Sequence, residues 1–230
     1  MNKTIAVIAA HPDDEILGCG ATIAKHIALG DEVHVLILAE GVSARNLIHD
    51  HVSKQAALLE RQKFAKNANH IVGSTSLTLL DRFPDNRMDS VNLLEVVKTV
   101  ETFIQKHKPS VIYTHHFGDL NIDHRITHQA VMTACRPEPN HCVKKILCFE
   151  INSSTEWQTP NTGLAFIPNW FEDVSDYLEK KLLALKAYET EMRNWPHTRS
   201  IEAVNYLAKL RGSSVGVSAA EAFMLMRSIN

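Results

Sequence analysis

The stretch "IAVIAAHPDDEILGCG" at residues 5–20 decides how this chain is read. Its first five residues are apolar and partly β-branched, the pattern of a strand buried on both faces. The run stops at His11 and Pro12 and continues with three acids, Asp13, Asp14 and Glu15. From residue 16 to 29 the apolar positions follow helical spacing, and Gly30 is a candidate C-cap. Three like charges at the mouth of a buried strand repel one another and resist ionisation unless a cation compensates them.

The alternation continues downstream. Strands are expected at 32–39, 74–80, 110–116 and 144–150, and helices at 44–68, 90–107 and 123–135. The core candidates are Leu47, Ala57, Leu58, Phe64 and Ala65 in the first of these helices, and Val91, Leu94, Val97, Phe103 and Ile104 in the second. "DRFPDNRMD" at 81–89 reads as a polar loop broken by Pro84. Strands alternating with helices predict an α/β fold with a mostly parallel sheet. After residue 151 the pattern loosens into a loop region with a short strand expected at 163–167. Helices follow at 175–193 and 199–211, and the periodicity of 220–228 fits a strand or a helix. There is no internal repeat or linker, so residues 1–230 read as one domain with a core at 1–150 and an extension at 151–230.

The chain has 230 residues, a formal net charge of −2 and no basic run. That balance gives no electrostatic support for a nucleic-acid or anionic-membrane partner. No apolar run reaches the length of a membrane span, and the N-terminus does not resemble a signal peptide. The four cysteines form no CxxC pair and read as free thiols. A cytoplasmic protein is expected.

Gly18-Cys19-Gly20, with Glu40 further on, superficially suggests a dinucleotide fingerprint. Two features argue against it. The glycines come after the acids and inside the helical pattern, and the helix start carries Asp13, Asp14 and Glu15, which would repel a pyrophosphate. Small residues at 18–22 fit close helix-on-sheet packing instead.

In open parallel sheets, ligands bind beyond the carboxyl ends of the strands. There the sequence places His11, Asp13, Asp14, Glu15, Glu40, Asp81 and Arg82. His115, His116, Asp119, Asn121, Asp123 and His124 follow at the end of the fourth strand. His plus Asp is an ordinary zinc ligand set, and iron(II) or manganese accepts the same donors. His11 and Asp14 can converge because Pro12 turns the chain, and His124 is the best candidate for a third ligand. Three protein ligands with an open position mark a catalytic site. Glu15 reads either as a first-turn helix charge or as a support for a ligand. His115 and His116 are adjacent on a strand, so at most one points at the site. His124 and His128 share a helix face.

"AAHPDDE" at 9–15, the small-residue helix after it and "NIDHRITH" at 121–128 resemble the PIG-L/LmbE-like family. "AEG" at 39–41, "ERQKFA" at 60–65, "RFPDNRMD" at 82–89 and "AEAF" at 220–223 extend the resemblance over most of the chain. The family comprises zinc-dependent N-deacetylases acting mainly on N-acetylglucosamine-type amino sugars. The resemblance implies a Rossmann-like three-layer fold with the active site at the carboxyl ends of the strands. It implies one zinc per chain on His11, Asp14 and His124, with Asp13 as general base. The implied substrate is a small N-acetylated sugar or glycoconjugate, met by Arg61 and, on the loop after the third strand, by Asp81, Arg82, Asp85 and Asn86. His128 is a further candidate contact. The resemblance leaves a homo-oligomer open.

One departure stands out. Many members carry His-x-x-His in the second motif, the first His stabilising the oxyanion; here that position is Asn121. Either Asn121 does this work as a neutral donor or another group replaces it, with His197 the first candidate and then His128 or His116. The late segments around Arg199 and Arg211 are expected to close over the substrate. Two other readings stand beside the amino-sugar deacetylase. One is a hydrolase of another N-acyl small molecule, such as a thiol precursor or an antibiotic intermediate. The other is a catalytically silent metal- or sugar-binding module, disfavoured because a binder needs no base.

Overall fold

A computed structural model describes residues 2–43, 51–160 and 163–229, with the backbone alone at 51, 52 and 81. The apolar run at the N-terminus forms β1 (Thr4–Ala9), and Ile5 to Ala9 are fully buried. The strand lacks polar alternation because helices cover both of its faces. β2 (Glu32–Ala39), β3 (Ser76–Phe83), β4 (Val111–His115) and β5 (Lys145–Phe149) follow, then β6 (Trp170–Asp173) and β7 (Ala220–Ser228). Six helices are described: α1 (Asp14–Ala28), α2 (His51–Val72), α3 (Leu93–His107), α4 (Ile122–Ala134), α5 (Leu178–Lys186) and α6 (Ile201–Ser213).

The seven strands form one sheet in the order β3-β2-β1-β4-β5-β7-β6. The first five are parallel, and β7 runs antiparallel between β5 and β6. Ile5, Val7 and Ala9 pack on one face with residues of α1, α2, α5 and α6. Ala6 and Ile8 pack on the other with α3 and α4. The result is the expected three-layer α/β fold. The chain builds outward from β1 through β2 to β3, then returns to β1's other side with β4. A crevice therefore opens where the carboxyl ends of β1 and β4 diverge.

Helix α1 is broken at Cys19 (φ −151°, ψ 27°). The break frees the Leu17 carbonyl and the Ala21 and Thr22 N–H groups, which must find partners in the core. Lys181 Nζ on α5 donates to Leu17 O at 2.7 Å. Glu221 on β7 accepts from Ala21 N at 3.2 Å and Thr22 N at 2.7 Å, and pairs with Lys181 Nζ at 2.6 Å. Gly18 lies against β5; a Cβ there would sit 2.5 Å from the Phe149 ring. Gly18 thus serves helix-on-sheet packing, whereas Gly20 lies against Ile16 of its own helix and Lys181 of α5.

Several expectations need correction. β3 continues to Phe83, three residues into the stretch read as loop, because Phe83 is buried and pairs with Ala39. Leu94 is 59% exposed, and α3 instead buries Val96, Val97, Val100, Phe103 and Ile104. Asn92 caps this helix by accepting from Leu94 N, which sets its phase and turns Leu94 outward. No strand forms at 163–167; the edge strand is β6, which pairs with β7. The helix expected at 175–193 is confined to Leu178–Lys186. The segment 220–228 is a strand, buried over its first four residues and partly exposed beyond them, so its burial follows neither a period of two nor a helical one. Residues 44–50, including Leu47, lie outside the described residues. Among the described residues no helix is long and apolar enough to cross a membrane.

Candidate active site

Pro12 lies three residues beyond the end of β1, and the backbone turns sharply over His11–Asp14. Asp13 adopts φ 115°, ψ −28°, a left-handed conformation that costs a non-glycine residue free energy. Glu15 holds it there. Its Oε2 accepts from Asp13 N at 3.0 Å, while its Oε1 accepts from Asn69 Nδ2 at 2.8 Å and Tyr188 Oη at 2.6 Å. Burial pushes the Glu15 carboxyl up to about 7 against these hydrogen bonds. Glu15 stands in the first turn of α1, as one of its two readings had it, and its carboxylate also braces the backbone of the Asp13 turn.

The turn brings three side chains together. Asp14 Oδ2 lies 3.2 Å from His11 Nδ1 and 3.2 Å from His124 Nε2. The three residues offer ligand atoms within 4.8 Å of one another. His124 sits on the first turn of α4, whose N-cap is Asn121. His115, at the end of β4, stacks on His124 with ring centroids 3.9 Å apart. Its Nε2 accepts from Ala10 N at 2.9 Å. His116 turns away, its Nε2 2.9 Å from Leu164 O.

The donor set has the chemistry of a cation site. Asp14 Oδ1 and His115 Nδ1 are buried without hydrogen-bond partners, and the two ring nitrogens of His124 face carboxylate oxygens in poorly aligned geometry. Buried polar atoms are normally satisfied, so such a concentration calls for a further ligand. Two imidazoles and a carboxylate suit zinc, and iron(II) or manganese(II) as well. Without a cation, protons carry the positive charge. Burial opposes the charged form of His124, yet Asp14 and Asp119 lift its pKa to about 9. Burial likewise opposes the Asp14 carboxylate, but His124 and His115 hold it well below its ordinary value.

A ring of carboxylates braces these ligands from behind. His11 Nε2 lies 2.9 Å from Asp123 Oδ2 and 3.2 Å from Asp85 Oδ1. Asp123 is itself fixed by the backbone N–H groups of Asn86, at 2.6 Å, and Met88, at 2.9 Å. His124 Nδ1 lies 3.1 Å from Asp119 Oδ1, and the Asp119 carboxylate accepts from Asn121 N, Ser154 Oγ and Thr155 Oγ1. Carboxylates in this position orient metal-binding imidazoles. Neither Asp119 nor Asp123 drew a role from the sequence. The only signal was their place beside His124 at the strand end.

Asp13 lies beside the cluster, 3% exposed. Burial raises its pKa to about 6, with the Arg199 guanidinium opposing the shift. Arg199 Nη1 donates to Asp13 Oδ2 at 2.7 Å and lies 3.5 Å from Glu191 Oε2. Arg61 pairs with Glu191 Oε1 at 2.5 Å. The remaining sequence candidates scatter. Asn121 Oδ1 accepts from Asp123 N at 2.8 Å, which commits the oxygen to the helix cap. His197 Nδ1 accepts from Arg199 N at 3.0 Å, and its ring packs edge-on to Trp157. His128 Nδ1 contacts His115 O at 3.0 Å. Asn86 Nδ2 donates to Asp85 Oδ1 at 3.0 Å. Arg82 pairs with Glu95 on the exposed surface of α3. Arg211 forms a two-point pair with Glu150. Glu40, once a candidate ribose contact, pairs with Lys54 at 3.0 Å. The side chain of Asp81 lies outside the described residues.

The chain and its fold have counterparts among known proteins. The chain is 32% identical over 194 residues to the uncharacterized deacetylase YaiS of Escherichia coli K12, covering 82% of this chain and 91% of that one. It is 28% identical to the diacetylchitobiose deacetylase of Thermococcus kodakarensis, covering 91% and 79%. The crystal structure of GalB, the 4-carboxy-2-hydroxymuconate hydratase of Pseudomonas putida KT2440, superposes with a TM-score of 0.77 at 20% identity, covering 99% and 98%. That structure shares the fold while catalysing a different reaction, so architecture alone does not fix the chemistry. Residues 6–135, which carry β1, its acidic turn and α4, match the family model described as PIG-L, GlcNAc-PI de-N-acetylase, and the chain belongs to that family.

Proposed function

We propose that this protein is a metal-dependent deacetylase that removes the acetyl group from an N-acetylated amino sugar or its glycoconjugate. One observation carries the reading. His11 Nδ1, Asp14 Oδ2 and His124 Nε2 converge in a buried cluster that includes unsatisfied polar atoms, with the Asp13 carboxylate beside them. The similarity to deacetylases supports the amide chemistry, and the diacetylchitobiose enzyme supports the sugar.

In this reading His11, Asp14 and His124 hold one zinc ion. Zinc there supplies a Lewis acid for the amide carbonyl and lowers the pKa of a bound water to about 7. Asp13 is the general base, taking a proton from the attacking water as it adds to the acetyl carbon. The same carboxyl returns that proton to the sugar nitrogen as the C–N bond breaks, so the products are acetate and the free amine. Glu15, held by Asn69 and Tyr188, fixes the backbone of Asp13 at the turn during this transfer. Asn121, through its amide N–H, and His197 are the proposed contacts to the developing oxyanion. Asp85, 3.2 Å from His11, and its neighbour Asn86 are the proposed contacts to sugar hydroxyls, with His128 and Arg61 as further candidates. Arg82 faces away and is left out. The chain acts as one domain, in which 151–230 extends the sheet of 1–150 and shapes the pocket.

The test is amine release by the zinc-loaded protein from N-acetylglucosamine, diacetylchitobiose and an O-glycoside of N-acetylglucosamine. At least one is expected to yield free amine, and Asp13→Asn is expected to abolish turnover while keeping one zinc per chain. Stoichiometric zinc with no amine from any N-acyl sugar would favour a silent binding module and overturn the reading.

A further inference from the structure

We propose that Arg199 is the positioning residue of the general base: its guanidinium pins Asp13 Oδ2 and leaves Oδ1 for the attacking water. The inference rests on the assignment of Asp13 as the base.

The argument begins with what holds Asp13. Its backbone is fixed by the Glu15 carboxylate in a conformation that L-residues rarely adopt. That contact leaves the side-chain torsions unconstrained. Among the described residues, the side-chain hydrogen bond to the Asp13 carboxylate comes from Arg199, at 2.7 Å on Oδ2. A buried carboxylate with one pinned oxygen presents the other in a single direction, and a proton acceptor that must meet a water needs this restriction.

Arg199 is itself immobilised. Its Nε donates to Ser153 Oγ at 2.7 Å and to Asn152 O at 3.3 Å, and its side chain is 13% exposed. Glu191 Oε2 lies 3.5 Å from Nη1, and Glu191 in turn binds Arg61. An arginine offers five N–H donors in a fixed plane, so one guanidinium can grip Asp13 and the 152–153 loop together. A lysine could bond Asp13 but could not reproduce that planar grip. The charge is also required: Asp13, Asp14, Glu15 and Glu191 are all buried around this point, and Arg remains cationic at any working pH. These contacts commit Arg199 to the protein, where the sequence alone placed it in a segment expected to close over the substrate.

The experiment measures kcat and KM for amine release by the full-length zinc-loaded protein, comparing wild type, Arg199→Ala, Arg199→Lys and Asp13→Asn. Each is assayed with and without added guanidinium ion, after confirming bound zinc and thermal stability. A misplaced reacting group costs about 100-fold, so Arg199→Ala is expected to lower kcat by about that factor while KM stays nearly constant. Guanidinium ion is expected to restore part of the lost kcat in Arg199→Ala and none in Asp13→Asn. Arg199→Lys is expected to fall between wild type and the alanine variant. A rise in KM at unchanged kcat, or unaltered kinetics, overturns the proposal. If Arg199→Ala does not fold, a wild-type kcat in Arg199→Lys overturns it. An inactive wild type, or an active Asp13→Asn, removes the base assignment itself. That outcome is distinct from an active wild type, a dead Asp13→Asn and unaffected Arg199 variants.

Discussion

Glu221 on β7 accepts the Thr22 N–H of α1 at 2.7 Å, across 199 positions of sequence. The contact completes a helix broken at Cys19 and places a buried carboxylate against the buried Lys181 ammonium. Glu221→Ala would leave that ammonium without its carboxylate and two N–H groups without acceptors. Removing one partner of a buried pair costs about 3–5 kcal/mol, and urea unfolding is expected to show a loss of that order. A change near zero would mean that the network reorganises without Glu221.

Close packing at Gly18 sets a second expectation. A methyl group there would come within 2.5 Å of the Phe149 ring, which sits in the sheet and cannot retreat cheaply. Overpacking of this kind costs about 1–3 kcal/mol. Gly18→Ala is therefore expected to lower the melting temperature, and Phe149→Leu in that background to recover part of the loss. A Gly18→Ala variant as stable as wild type would contradict the packing role.

The Lys25–Glu172 pair ties α1 to β6 at 2.6 Å. Burial alone would raise the Glu172 pKa, but Lys25 and the Trp170 indole N–H outweigh it and hold the carboxyl below its ordinary value. A carboxylate with a depressed folded-state pKa adds stability above its unfolded pKa, and that stability is lost as pH falls through the folded value. Glu172→Gln is expected to be less stable than wild type at pH 7. The gap should narrow as acid protonates Glu172 in the wild type. Parallel stability curves down to pH 3 would rule this out.

Metal binding provides the next measurement. A ligand that binds only the folded state stabilises it by about 2.7 kcal/mol at a hundredfold excess over Kd. Zinc is expected to raise the melting temperature of the chelator-treated protein, and His124→Ala and Asp14→Ala to abolish the rise. Asp123→Asn, which loosens the brace on His11, is expected to weaken zinc binding about 10- to 100-fold. An undiminished thermal shift in His124→Ala would remove that residue from the ligand set.

The layered α/β architecture could be read from alternating strand and helix periods, since each period reports which face of a segment is buried. The same segments brought the chemistry into view. His11 and Asp14 sit three residues apart at a strand end, and His124 follows another strand on the same sheet edge. Local patterns failed where burial depended on remote neighbours: Leu94 lies in the first turn of its helix outside the buried face, and residues 220–228 form a strand buried only over its first four residues.

What the sequence by itself determined is the sheet edge at which ionisable groups collect, together with the residue types able to hold a cation and move a proton there. Only the tertiary structure decided which carboxylate braces which imidazole. Asp123 reaches His11 across 112 positions, and Arg199 reaches Asp13 across 186. The physical reason is that a local pattern encodes burial and backbone conformation. Ion pairs and hydrogen bonds form between whichever groups the folded chain places about 3 Å apart, and no spacing rule within a segment records them. The three acids after Pro12 illustrate both parts. Their charge conflict is visible in seven letters, while its resolution by His124, Arg199 and Tyr188 is built from segments more than 100 residues away.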